Sequence, residues 1–293
     1  LAEGGVSVVL HPPAISPLKV ERDLAAAIKE LGIEVIENTR QVIPPKEIDI
    51  YLPAFNLGIE VNGVYWHSEI SGNRGKAYHL DKANLANSKG IDLFQFWDCE
   101  VLDKNDIVMG MIRSRTRMNK RVNARDCACQ DLKPSIANQF ISENHLQGAI
   151  QASRYIGLYF DEELVAVCSV AKSRYVKGYE FEVLRFCTKK GITVIGGASK
   201  LFSRIGGSFV SYANRRWSSG KLYEALGMRK IGQTDPSHWY TKDYTFLQSR
   251  IEYQKHKLTD MPSFAPDKTE WEIMQAEGYD RVWDCGNILY ASH

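Results

Sequence analysis

Apolar residues in the first third of the chain change period as the chain proceeds. Leu18, Leu24, Ile28 and Leu31 fall at helical spacing behind Ser16-Pro17 and stop at Gly32, which predicts a helix with proline in its first turn and glycine beyond its end. Ile33 to Ile36 is apolar enough for a short strand, and Pro44-Pro45 then breaks the chain. From Glu47 to Leu52 the period drops to two: Ile48, Ile50 and Leu52 point one way, Asp49 and Tyr51 the other. Ala54 to Leu57 reads as a turn and Gly58 to Val64 as a second strand, so the pair forms a hairpin. Tyr78 to Lys89 is helical and ends at Gly90, Ile91 to Trp97 is a third strand, and Asp103 to Arg117 is a long helix with Ile107, Met111 and Ile112 on one side. Helix, hairpin, helix, strand and helix together predict an α/β domain with a central mixed sheet.

The pattern then restarts. Ser135 to Asn144 is helical, Ser153 to Phe160 and Glu163 to Val170 are strands joined at Asp161-Glu162, and Tyr179 to Cys187 is another strand. Gly196-Gly197-Ala198-Ser199 leads into a helix running to about Ile205. Ser208 to Ala213 is a strand, Gly220 to Leu226 a short helix, and Trp239 to Lys242 a last strand. This predicts a second α/β domain over 122–248, after a first over 1–121. The remainder, 249–293, is a basic C-terminal segment.

The 293 residues are enough for two domains with real cores, and 44% hydrophobic with 25% charged residues is a globular mixture that excludes disorder and low complexity for most of the chain. No apolar run reaches the length of a membrane span. Leu1 to Gly5 has no basic patch before a hydrophobic run, so no secretory signal is expected, and the missing initial Met suggests a trimmed fragment. The six cysteines, Cys99, Cys127, Cys129, Cys168, Cys187 and Cys285, show no zinc-type spacing and read as free thiols of a cytoplasmic protein. A net charge of +2 neither predicts nor excludes a nucleic-acid partner. One stretch is lopsided: Arg113, Arg115, Arg117, Lys120, Arg121 and Arg125 fall within thirteen residues that contain no acid.

Strand alternation turns Asp49 and Glu60 away from their apolar neighbours, and a paired hairpin can bring both to one end of the sheet. Two converging carboxylates suit a hard cation such as Mg²⁺, and His67 just beyond could move a proton near neutrality. A solvated strand face with a capped histidine is the alternative.

Asp49 followed by Glu60-Val61-Asn62-Gly63-Val64-Tyr65-Trp66-His67 resembles the very-short-patch repair endonucleases. It resembles still more the phage homing endonucleases of the EDxHD group, a branch of the PD-(D/E)xK superfamily. The resemblance continues through Tyr78-His79-Leu80-Asp81-Lys82 and from Gly90 to Glu100, and so covers the first domain. It implies a PD-(D/E)xK fold and a site-specific endonuclease that hydrolyses double-stranded DNA with Mg²⁺ or Mn²⁺. It further implies Asp49 as principal metal ligand beside Glu60, the Val61 carbonyl as another, and His67 acting on water or leaving group. Glu21 would open the pattern and Asp81, or alternatively Asp98, would close it. Asn62 stands where many relatives carry the catalytic lysine, and Lys82 is the candidate replacement.

Gly157 to Val170, Tyr179 to Cys187, Gly196-Gly197-Ala198-Ser199-Lys200-Leu201, Tyr212-Ala213-Asn214 and Leu222 to Gly227 are similar to a GNAT-type N-acetyltransferase. In that fold a glycine turn at a helix start binds the cofactor pyrophosphate. The Gln/Arg-x-x-Gly-x-Gly/Ala pattern is incomplete here, so acetyl transfer is expected to be lost and the domain to serve DNA recognition. The basic stretch Arg113 to Arg125 and Arg250, Lys255 and Lys257, with Tyr253 packing on sugar or base, would supply phosphate contacts. A solvated amphipathic helix is the alternative for the second group. The rival functions are a GNAT-type acetyltransferase with an inactive nuclease-like domain, and a non-catalytic DNA-binding protein. No membrane partner is expected, and the setting implied is the cytoplasm of a bacterial host or phage-infected cell.

Overall fold

The computed structural model describes residues 16–292; the leader reading at Leu1 to Gly5 lies outside them. Helix α1 (Pro17–Lys29) leads into strands β1 (Ile36–Ile43), β2 (Lys46–Leu52) and β3 (Leu57–Asn62), then α2 (Val64–His67), α3 (Tyr78–Ser88), β4 (Asp92–Trp97), α4 (Asp98–Asp103) and α5 (Asn105–Arg115). Next come β5 (Lys120–Asn123), β6 (Ala128–Asp131), α6 (Pro134–Asn144), β7 (Arg154–Phe160), β8 (Glu163–Lys172), β9 (Phe181–Thr188) and β10 (Ile192–Ile195). They are followed by α7 (Gly197–Phe202), β11 (Phe209–Asn214), α8 (Lys221–Ala225), β12 (Arg229–Gln233), β13 (His238–Thr241), β14 (Gln248–Ser249), α9 (Glu270–Ala276), β15 (Asp280–Trp283) and β16 (Asn287–Ala291).

The chain forms two units, and it crosses between them more than once. Unit 1 comprises the chain up to Leu102 with Arg215–Trp217 and Asp235–Gly286; unit 2 comprises Asp103–Asn214, Ser218–Thr234 and the residues from Asn287 onward. The boundaries read from sequence, 121 and 248, differ because the segments that pack together are distant in sequence. Ser68 bridges Val282 in unit 1, and β5 pairs with β10 in unit 2.

Unit 1 is built on a sheet ordered β1-β2-β3-β4, with β1, β2 and β3 antiparallel and β3 parallel to β4. Pro17 starts α1, which buries Val20, Leu24, Ala25 and Ile28. Every residue of β3 is buried, as expected of a strand paired on both edges. Strand β1 runs over Ile36–Ile43 and not Ile33 to Ile36. It is an edge strand with Glu37, Asn38, Arg40 and Gln41 exposed, and a register shift with Asn38 at φ +51° hides its alternation. The segment expected as a basic tail is folded. Strands β14-β13-β15 and α9 enclose Tyr240, Leu258, Ile273 and Met274, and Thr269 and Glu272 form a capping box at the start of α9.

Unit 2 carries a seven-stranded mixed sheet ordered β12-β16-β11-β9-β8-β7-β6 and a separate parallel pair, β10-β5. Within the large sheet β9 and β11 are the parallel neighbours. Leu201 and Phe202 of α7 pack with Ile156, Leu158, Val165 and Cys168, while Ala137, Phe140 and Ile141 of α6 pack with Tyr155, Val167 and Cys187. The sheet is thus covered by helices on both faces. The chain is mixed α/β in both units, and no helix among the described residues is long and apolar enough to cross a membrane.

Candidate functional site

In unit 1 the hairpin register brings the expected residues toward one another. Asp49 Oδ2 accepts the Val61 N–H at 2.9 Å, and Lys82 from α3 donates to Glu60 Oε2. Val61 therefore offers this cluster its N–H. Burial, then the nearby Asp49 charge, pushes Glu60 up to about 8, with Lys82 opposing. Burial also raises Asp49, and burial with Asp49 lifts Glu21 of α1 to about 7. Lys82 is raised as well: burial disfavours its charge, but Glu60 and Asp49 outweigh that. Burial, Lys82 and Arg74 bring His67 down to about 3, so the ring is neutral; it packs on His79 at 5.0 Å and Tyr78 at 5.6 Å.

The two closing candidates separate. Asp81 is exposed on α3. Asp98 is buried and accepts the Val64 N–H at 3.1 Å and the Cys99 N–H at 2.9 Å, which ties the start of α2 to the end of β4. Three members escaped the sequence reading: Arg74, His79 and Gln95. His79 Nδ1 lies 3.0 Å from Gln95 Oε1, and Gln95 Nε2 donates to the His79 carbonyl. A glutamine inside the apolar run Leu93-Phe94-Gln95-Phe96-Trp97 was the available signal.

This geometry overturns the metal expectation. Asp49 is engaged by a backbone N–H and Glu60 by an ammonium, so two free carboxylates do not converge. Among the described residues no group of three His, Cys, Asp or Glu side chains could hold a metal ion. Mg²⁺ or Mn²⁺ at Asp49, Glu60 and Val61 is accordingly corrected.

In unit 2 the parallel strands β9 and β11 pair at three positions, Phe181 with Phe209, Glu182 with Val210 and Val183 with Ser211. They then part, although β9 continues to Thr188 and β11 to Asn214. Side chains fall on both faces at the point of separation. Ser211 alternates with the core residues Phe209 and Ala213 and donates to the Tyr223 hydroxyl at 3.0 Å; Tyr223 stacks on Tyr290 at 5.0 Å. Glu182 and Tyr212 belong to the opposite face. Glu182 is 6% exposed and its Oε2 has no hydrogen-bond partner. Burial raises its carboxyl, against the Arg174 charge and the Arg174 backbone N–H. Burial, Glu182 and Tyr175 raise Tyr212.

The expected glycine turn opens α7. Gly196 has φ +76°, and a Cβ on Gly197 would lie 3.0 Å from the Val194 Cβ, so both positions require glycine. Lys200 in this helix donates to the carbonyls of Ala124 and Cys127, at 2.8 and 2.6 Å, and so anchors it. Sequence reasoning missed Glu182, whose signal was an acid inside the strand Tyr179 to Cys187.

The residues expected at DNA separate into two groups. Arg113, Arg115, Arg117, Lys120 and Arg121 run from the end of α5 into β5 of unit 2. In unit 1, Arg250 pairs with Glu270, Lys255 donates to the Pro266 carbonyl and Lys257 to the Ile251 carbonyl. The expected amphipathic helix there consists of short 3₁₀ turns.

No family model matches the chain, and no curated protein matches it. Among solved structures it is similar to a GNAT family acetyltransferase from Elizabethkingia anophelis with acetyl-CoA bound, at 9% identity over 57% of this chain and 98% of that one, with a TM-score of 0.32. It is also similar to the ribosomal-protein-S18-alanine N-acetyltransferase from Escherichia coli, at 13% identity over 56% of this chain and 92% of that one, with a TM-score of 0.31. Both are acetyltransferases and neither is a nuclease. The reading as a metal-dependent homing endonuclease of the PD-(D/E)xK type is corrected by these findings together with the closed Lys82–Glu60 pair.

Proposed function

We propose that the chain is a GNAT-type N-acyltransferase whose working site is the gap between β9 and β11. One observation carries this reading: two parallel strands separate at the level where a buried, unpartnered carboxylate oxygen sits on one face and a hydrogen-bonded tyrosine on the other. The acyl thioester of coenzyme A fits the residues present. The facing backbone edges of 184–188 and 212–214 would hold its amide-bearing arm, and the turn at Gly196-Gly197 its phosphates. When bound, that group supplies an acyl carbon activated by sulfur.

The side chains divide the proton work. Glu182 takes a proton at Oε2 from an acceptor ammonium, because its raised pKa makes it a better base than an exposed carboxylate. Tyr223, which burial raises in pKa, keeps a proton on its hydroxyl for a leaving group on the other face. The Ser211 hydroxyl, already donating to that oxygen, stabilises the phenolate left behind. The sequence reading expected acetyl transfer to be lost with the incomplete glycine pattern; that pattern concerns only the phosphate end of the site.

The test is thiol release from acetyl-CoA in the presence of a panel of small amines and amine-bearing peptides, for the full chain and for Glu182→Gln. Amine-dependent release that the substitution removes supports the reading. Absence of release with every acceptor at millimolar cofactor sinks it.

A further inference from the structure

Helix α5 ends in a turn whose backbone is built for glycine. The Met118 N–H donates to the Arg113 carbonyl at 2.8 Å and the Arg117 N–H to Ser114 at 3.3 Å, a Schellman pattern. The residue at its left-handed corner, with φ +63°, is Arg117. An L side chain is disfavoured there, so what the arginine contributes must lie in its side chain, which is exposed.

That side chain belongs to a strip of like charge. Arg113, Arg117, Lys120 and Arg121 make no ion pair among the described residues, and no acid occurs from 113 to 125. Cations nearby in unit 2 are neutralised: Lys189 by Glu163, Lys190 by Asp106 and Arg125 by Asp126. Strand β5, which carries Lys120 and Arg121, pairs only with β10 and leaves its other edge open.

We infer that this strip binds the phosphate backbone of duplex DNA. Guanidinium forks match phosphate oxygens two at a time, and three of the four unpaired cations are arginines. A single strand would need aromatic platforms, and 113–131 contains no aromatic residue. A membrane surface would need apolar side chains to insert, and Met118 is the one exposed large apolar residue from 113 to 125. Duplex RNA is distinguished through its 2′-hydroxyls by groups that accept as well as donate. The available ones are engaged: Ser114 lies 3.3 Å from the Thr193 hydroxyl, and the Asn123 amide donates to Asp126 at 3.2 Å.

The experiment is fluorescence anisotropy of a random-sequence DNA duplex with the full chain over a range of salt. Two variants accompany it: Arg117→Gly, and the fourfold exchange Arg113→Gln, Arg117→Gln, Lys120→Gln and Arg121→Gln. The fourfold variant should bind about tenfold more weakly or worse. Its slope of log affinity against log salt should flatten by about 0.9 for every phosphate that is no longer neutralised. Arg117→Gly suits the backbone better than the arginine does. It should therefore melt no earlier than the parent, yet bind DNA more weakly and with a flatter slope, an outcome that a purely structural role for Arg117 does not give. This variant decides the matter if the fourfold one fails to fold. An unchanged salt slope in Arg117→Gly overturns the inference. So does tighter binding to single-stranded DNA or duplex RNA than to duplex DNA, or capture by vesicles of anionic phospholipid that DNA does not compete away.

Discussion

Glu60 in unit 1 and Glu182 in unit 2 are both glutamates buried on sheet strands, and burial raises both. Their surroundings differ in two respects. Glu60 stands on a strand paired on both edges and holds a lysine ammonium in contact. Glu182 stands where one neighbouring strand departs, and the cation nearest it acts through its charge and a backbone N–H. A raised pKa alone therefore does not mark a working base, since closed ion pairs also carry one. What distinguishes Glu182 is the opening beside it, with the Ser211–Tyr223 pair on the other face.

The largest effect that can break this comparison comes from Glu182. Glu182→Gln should lower acyl transfer by about 10²–10⁴-fold, the usual range for a lost general base. Cofactor affinity, measured by calorimetry, should be nearly unchanged. The parent activity should rise with pH through a value above the ordinary glutamate pKa, since the raised group must first lose its proton. Activity that is flat with pH and indifferent to the substitution would reduce Glu182 to a packing residue.

Removing the Glu60 counterion comes next. Lys82→Met leaves a buried carboxyl without its partner and should destabilise the protein by about 3–5 kcal/mol in denaturant titration. Adding Glu60→Gln should recover a large part of that loss. If the single variant costs under about 1 kcal/mol, the pair behaves as a surface bridge and the contrast between the two glutamates fails.

A third expectation concerns pH. Glu60 rises to about 8 on folding, so its contribution is fully present below about 4.5 and is lost as pH climbs toward 8. His67 falls to about 3, so its contribution is fully present above about 6.5 and is lost as pH drops toward 3. Together they place the most favourable window for unit 1 between about pH 4.5 and 6.5. Denaturation midpoints measured across pH should show both limbs. Glu60→Gln should flatten the alkaline one and His67→Phe the acid one; limbs that persist in the variants would assign them to other groups.

The smallest effect is local. Thr269→Ala removes both sides of the capping box at α9 and should cost about 1 kcal/mol. A change within error would mean that the small sheet, and not the helix, limits the stability of that segment.

The same contrast governs what could be read in the sequence. Strands β2, β3 and β4 and helices α1, α3 and α6 follow their apolar periods closely, because each has one or two faces against a core. Strand β1 does not, since it is a polar edge with a register shift. Strands β5, β10, β12 and β16 went unread. They are short, and β16 enters the sheet between β12 and β11 from the far end of the chain, a pairing with no local signal. In unit 1 the spacing of Asp49, Glu60 and Lys82 foretold their proximity, but it could not show that the lysine would close on the glutamate. Arg250, Lys255 and Lys257 read as open cations because their acceptors, Glu270 and two backbone carbonyls, appear only on folding.

Amide hydrogen exchange on the full chain with and without acetyl-CoA tests the gap between β9 and β11 most directly. The account predicts that the cofactor slows exchange along 184–188 and 212–214 and at the turn around Gly196-Gly197, with no comparable change in 46–62 of unit 1. Exchange unaltered at saturating acetyl-CoA, or slowed only outside those segments, would contradict it.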